Sequence, residues 1–350
     1  MKTAETWKKA AGRGRGRRPA AWWFTALVAA LPFVARAADG AGLETLGPLS
    51  LPGAAGSVGL DDLQYDAALG RVLVPAGESG NLDLVDPVTG AVTAVAIADA
   101  HVTSAAVAGN LLLTSDRKGL RLLALDAISH RVVASAPLAA GPDYVRYLAT
   151  RGEVWVTEPR AESIEIFSLT PGTPPSIREV AKVAVPGGPE ALAIDPERGR
   201  AYSNLWRERT VAIDLAQRAV VENWASGCAE PRGLALDAPR TLLLVGCKDG
   251  TVTSIDVGHA GKILSTLKPG DGTDIVAFDP GRRHLYVPGG RSATLAVVGV
   301  GESGALTLLA TASAAERSHC VTTDGDGLVY VCDPVRGRLL VYRDGLPPPG

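Results

Sequence analysis

One unit of about forty residues is written several times along this chain of 350 residues. It is clearest at Gly188-Pro189-Glu190-Ala191-Leu192-Ala193-Ile194-Asp195, an apolar run ending in Asp, followed by the polar turn Pro196 to Arg200 and a second run, Ala201 to Asn204. Forty-two residues on, Glu230-Pro231-Arg232-Gly233-Leu234-Ala235-Leu236-Asp237 leads through Ala238-Pro239-Arg240 to Thr241-Leu242-Leu243-Leu244-Val245, and after forty-two more the start returns as Asp274-Ile275-Val276-Ala277-Phe278-Asp279. Run, turn and returning run make a hairpin, because Asp, Pro and Gly interrupt strands built of Leu, Val, Ile and Ala. Hairpins recurring every 40 to 45 residues or so mark the blades of a β-propeller.

The period predicts seven blades, each a four-stranded antiparallel meander. Blade one starts near Gly59, with Leu60 to Tyr65, Arg71 to Val74, Asn81 to Asp86 and Ala91 to Ile97. Blade two follows as Thr103 to Val107, Leu111 to Thr114, Leu120 to Asp126 and Arg131 to Ala136. Blade three is Tyr144 to Leu148, Glu153 to Thr157, Ile164 to Phe167 and Val180 to Val185, with a long loop holding Pro171, Pro174 and Pro175. Blades four, five and six begin at Glu190, Arg232 and Asp274. Blade seven has only Cys320 to Thr323, Leu328 to Val331 and Arg338 to Tyr342 before the chain ends. The strand left over at the start, Leu43 to Leu51, supplies the missing fourth, so that no sheet edge stays open. Residues 38–350 thus read as one all-β domain.

The first 37 residues read as an export signal: a basic region with Lys8, Lys9, Arg13, Arg15, Arg17 and Arg18, an apolar core from Trp22 to Val34, and the small-x-small cleavage site Ala35-Arg36-Ala37. That core is short for a bilayer span, so no membrane span is expected after cleavage. Arg17-Arg18 leaves the export route, general or twin-arginine, open. Residues 1–37 hold eight of the 35 basic and one of the 37 acidic residues, leaving 27 against 36 and a net charge near −9. That balance argues against nucleic acid as a partner. The four cysteines fall as Cys228 with Cys247 and Cys320 with Cys332, and folding each hairpin brings its pair together. Two disulfides are expected, in a periplasmic or secreted protein.

With the blades placed, the units resemble the YVTN-type seven-bladed propellers, especially the exported YncE-like family. The resemblance lies in Leu73-Val74-Pro75, Trp155-Val156-Thr157-Glu158-Pro159, Leu285-Tyr286-Val287-Pro288 and Val329-Tyr330-Val331-Cys332-Asp333-Pro334. Third strands ending in an apolar residue and Asp, at Asp86, Asp126, Asp214 and Asp256, agree with it, although the literal Tyr-Val-Thr-Asn tetrad does not occur. It implies an exported binding or scaffold protein. Members have been associated with single-stranded DNA, which needs aromatic platforms beside positive charge, whereas this chain is 5% aromatic. Pro189 to Asp195 and Pro231 to Asp237 also resemble inner strands of gluconolactonase-like, regucalcin-type hydrolases, which are metal-dependent and typically six-bladed.

Carried through the repeat, the position of Glu190 becomes Asp61, Thr103, Asp143, Glu190, Arg232, Asp274 and His319, a ring expected at one mouth of the central channel. Asp61, Asp143, Glu190 and Asp274 are of the type that holds calcium or another hard divalent cation, Arg232 suits an anionic group, and His319 can exchange protons. Solvated strand ends explain the same residues equally well. Tyr144 and Arg146 suit an anionic organic ligand, and loops on that face add Glu78, Asp116, Glu158, Asn204, Arg207, Lys248 and Asp333. Asp66, Asp195, Asp237, Asp279 and Asp324 are expected at the opposite turns, bonding their own backbone. No nucleophile motif, Cys-x-x-Cys-His or paired His occurs. The expectation is a monomeric propeller that binds a small molecule or another protein at the mouth, with a metal-dependent lactonase as the competing reading.

Overall fold

The computed structural model describes residues 42–54 and 56–350, and the expected export segment, residues 1–37, lies outside the described residues. Seven four-stranded antiparallel sheets form a ring, at the positions that the repeat predicts. Blade three, for example, consists of Val145–Leu148, Glu153–Glu158, Ser163–Thr170 and Ser176–Ala184. Blades four, five and six start their inner strands at Ala193, Pro231 and Ala277.

Strands in the middle of a blade are buried on both faces, as Asn81–Val85, Leu111–Asp116 and Leu242–Cys247 are along their whole length. Each blade is sandwiched between two others, so these strands read as continuous apolar runs and not as alternating ones. The outermost strands, Val92–Ala96 and Ser176–Ala184 among them, are mostly exposed. Leu43–Ser50 pairs antiparallel with Arg338–Asp344, with Leu43 opposite Asp344 and Ser50 opposite Arg338. The N-terminal strand therefore closes the last blade, as its missing strand requires.

Turns follow from Asp. Asp86 accepts from the Val88 and Thr89 amides, Asp126 from Ile128 and Ser129, and Asp214 from Ala216 and Gln217. The residue that ends each of these turns, Gly90, His130 or Arg218, is left-handed with φ of 70°, 59° and 52°. Of the opposite-turn acids, Asp66, Asp195, Asp279 and Asp324 bond backbone amides of their own turns. Asp237 holds the Arg240 guanidinium instead. Among the described residues, no helix is long and apolar enough to cross a membrane.

The two disulfides join Cys228 to Cys247 and Cys320 to Cys332, with Cα atoms 6.3 and 5.5 Å apart. Both lie where a second strand runs out toward the mouth, beside Lys248 and His319. They belong to an oxidising compartment.

Candidate functional site at the channel mouth

The inner strands are shorter than their apolar runs, only three residues in Gln64–Asp66, Ala193–Asp195, Ala277–Asp279 and Val321–Thr323. In three blades, backbone amides before or early in these runs bond to the next blade. The Asp62 amide donates to Thr103 O at 3.3 Å, Gly233 to Asp274 O at 2.9 Å and Ile275 to His319 O at 2.8 Å. Asn204 Nδ2 does the same for Arg232 O, at 2.9 Å. Ring positions thus use their carbonyls to tie neighbouring blades, which leaves their side chains available to the mouth.

Asp61, Asp143, Glu190, Asp274 and His319 line one cavity of about 540 Å³, with Arg117 and Trp206. Arg232 lines a second cavity of about 390 Å³, which shares Asp274 and His319 with the first. Thr103 is the exception in the ring: it is buried, with its hydroxyl 2.8 Å from Ser115 Oγ.

Arg117 organises one side of the mouth. Its Nη2 donates to Asp143 Oδ1 at 2.7 Å and lies 3.7 Å from Asp61 Oδ2, while Nε holds Pro142 O at 3.0 Å. On the other side, Glu190 is paired with Arg232 and accepts from the Trp206 indole, and the Arg232 guanidinium lies 5.9 Å from the Trp206 ring centre. Burial pushes the Asp61 carboxyl up to about 7, against the pull of Arg117 and His319. Burial, then the charges of Asp61 and Glu190, raises Asp143 well above the usual range despite Arg117, and burial likewise raises Asp274. Recessed carboxyls of this kind keep protons near neutral pH, so the mouth offers hydroxyl donors as well as carboxylate, guanidinium and indole groups. His319 Nδ1 donates to Arg317 O at 2.7 Å, leaving Nε2 for other partners.

The four acids do not form a metal cage. Among the described residues, the only three His, Cys, Asp or Glu groups with ligand atoms within 4.8 Å of one another are His319, Cys320 and Cys332, and those two sulfurs are joined to each other. Arg117 occupies the side of Asp61 and Asp143 that a cation would need, and Glu190 is held by Arg232 and Trp206.

Several expected residues lie elsewhere. Arg146 sits below the mouth, in a channel cavity of about 270 Å³. Its Nη1 and Nη2 grip Asp62 at 2.6 and 3.0 Å, and its guanidinium lies 5.0 Å from the centre of the Tyr144 ring. Tyr144 itself borders both cavities. Asp116, Glu158, Asn204 and Asp333 are fully buried, not displayed on the mouth loops. Asp116 accepts from the His101, Lys118 and Gly119 amides, Glu158 from Ala140 N and Ser163 Oγ, and Asp333 from Arg338. Glu78 accepts from the Gly59 amide, Lys248 pairs with Glu230 at 2.9 Å, and Arg207 is exposed.

Arg117, Trp206 and Asp62 escaped the sequence reading. Arg117 directly follows Asp116, and Trp206 comes two residues after Asn204, so each lies just beyond the loop residue singled out. Asp62 follows Asp61, and the alternation of an extended chain turns it from the mouth into the channel. That alternation was the available signal.

No protein-family model matches the sequence, and no curated protein matches it at a significant level. Solved structures do. A chain of the hydrazine synthase of Kuenenia stuttgartiensis is 16% identical, with TM-score 0.70, covering 84% of this chain and 96% of its own. One of the mitotic checkpoint complex is 15% identical, with TM-score 0.74 and coverages of 95% and 99%. The Cps50 (Swd1) β-propeller domain from Myceliophteria thermophila is 13% identical, with TM-score 0.67 and coverages of 80% and 95%. At such identities these similarities establish a fold and no activity: the chain is a seven-bladed β-propeller.

Proposed function

We propose that this protein is an exported propeller of the YncE-like type that binds a small polar ligand at its channel mouth, in the periplasm or outside the cell. The observation that carries the reading is the cavity of about 540 Å³ in which Asp61, Asp143, Glu190 and Asp274 converge with Arg117 and Trp206. Its size suits a small organic molecule, and its wall combines convergent polar groups with an aromatic face. Protonated and ionised carboxyls side by side suit hydroxyl and amine groups, which donate and accept at once. The two disulfides support the location. A metal-dependent lactonase would draw three or more oxygen ligands onto one ion, and three of the four acids of this mouth, Asp61, Asp143 and Glu190, are engaged by arginines instead.

A thermal-shift screen of polyols, amines and sugar lactones, each with and without calcium, tests the proposal. A ligand at about 100 times its Kd stabilises by about 2.7 kcal/mol, roughly 5 °C for a domain of this size. The shift should disappear in Asp143→Asn and shrink in Trp206→Phe. A screen without any hit, or a hit indifferent to both substitutions, refutes the reading, and a hit that needs calcium restores the lactonase.

A further inference from the structure

Beside the mouth cavity, between blades five, six and seven, lies the cavity of about 390 Å³ that shares Asp274 and His319 with it. The character of its wall is opposite. Arg232, Lys248, Arg291 and Arg317 line it, against one acid, Asp274. Three of these cations have carboxylate partners that do not belong to the wall: Glu190 for Arg232, Glu230 for Lys248 at 2.9 Å and Asp271 for Arg291 at 2.7 Å. Arg317 is exposed and has no carboxylate within 4.0 Å among the described residues.

Thr273 lines the same cavity but is only 1% exposed, and its hydroxyl, without a hydrogen-bond partner among the described residues, is closed to solvent and lies behind the wall. Gly272 is left-handed, with φ of 78°, and a Cβ there would lie 2.7 Å from Arg291 N and 2.9 Å from Arg291 Cγ, so only glycine lets the Arg291 loop pack this closely against the wall.

We propose that this cavity is an anion site, which holds a carboxylate or phosphate group through Arg317 and Arg291. Guanidinium groups suit such oxyanions because their planar donors match two oxygens at once. Joined to the carboxyl-lined cavity through Asp274 and His319, it gives the mouth two ends of opposite preference. The ligand class is then an organic molecule with hydroxyl or amine groups at one end and an acidic group at the other. This extension rests on the mouth reading above, whereas the anion site itself does not.

The test titrates the full protein after signal removal with inorganic phosphate and, separately, acetate at pH 7, with sodium chloride holding the ionic strength constant. Calorimetry should show saturable binding of one anion per chain. Arg317→Ala combined with Arg291→Gln should weaken it about tenfold or more, as the loss of charge-assisted hydrogen bonds predicts. Phosphate binding with acetate silent, or the reverse, says which acid group the site prefers, and either supports the proposal. It is overturned when neither anion binds above the chloride background, or when the double variant binds as the parent does. The two readings fail separately. Phosphate bound through Arg317 with no mouth ligand found sinks the mouth reading alone; mouth ligands that bind equally with and without an acidic group, and unaffected by Arg317→Ala, sink this one.

Discussion

Asp83 gives the sharpest test of the physical reasoning, because one cause acts on it. It lies in the third strand of blade one, 0% exposed, and neither carboxyl oxygen has a hydrogen-bond partner. Burial alone pushes its carboxyl from 3.8 up to about 7. The folded chain therefore holds a proton that the unfolded chain releases near pH 4. The resulting stability is fully present below about pH 4 and is lost as pH rises through about 7. At 1.36 kcal/mol per pKa unit the upper bound is about 4 kcal/mol, and penetration of water around an ionised side chain reduces the expectation to about 2 to 4 kcal/mol. Asp83→Asn removes the titration at nearly constant shape. Urea unfolding at pH 4 and pH 8.5 should find the variant close to the parent at pH 4 and about 2 to 4 kcal/mol more stable than the parent at pH 8.5. Burial also raises Asp61, Asp143 and Asp274, and subtracting one profile from the other cancels their contribution. The turn acids Asp86, Asp126 and Asp214 are held low by their amide hydrogen bonds, so they lose stability only below about pH 4, outside the window. Parallel profiles for parent and variant would refute the argument.

Two further outcomes follow from the scaffold. Arg146→Met strands Asp62, 1% exposed, with only the Ser104 and Gln64 donors, and should cost about 3 to 5 kcal/mol in urea unfolding; Asp62→Leu in the same chain should restore most of it, and a cost below about 1 kcal/mol for the single change denies the pair its role. Cys228→Ser with Cys247→Ser opens a link of sequence separation 19 and should cost about 3 kcal/mol by chain entropy, against slightly less for Cys320 and Cys332 at separation 12; unfolding of the oxidised parent and the two double variants measures both, and no loss in either contradicts the expectation.

Blade number, strand positions, ring closure and disulfide pairing were all legible in the repeat, because a fixed period places equivalent residues at equivalent heights. The ring of mouth positions was legible for the same reason. Arg117 and Trp206 were not, since they lie in loops that differ from blade to blade and no register carries them. The error over Asp116, Glu158, Asn204 and Asp333 has one cause. Three of these end the second strand of a blade and the fourth is one residue short of the end. From there the side chain turns into the blade, where amides, hydroxyls or guanidiniums need an acceptor. Asp83 was hidden differently: between Leu82 and Leu84 it reads as the solvent face of an alternating strand, but blades pack on both faces.

The mouth separates two tasks that most binding sites combine. Thr103, Arg232, Asp274 and His319 accept the bonds that tie one blade to the next through their carbonyl oxygens, which every residue type possesses. Closure of the ring is therefore indifferent to the side chain at these positions. Four acids, an arginine, a histidine and a threonine can occupy equivalent sites in one chain without opening it. The same indifference explains how chains about 15% identical can share this ring, and why that similarity says nothing about the ligand. Chemistry at the mouth is carried by side chains that the fold does not constrain, so it has to be read from the particular pairs that this chain makes: Arg117 with Asp143, Arg232 with Glu190, and an arginine at 317 that no carboxylate among the described residues holds.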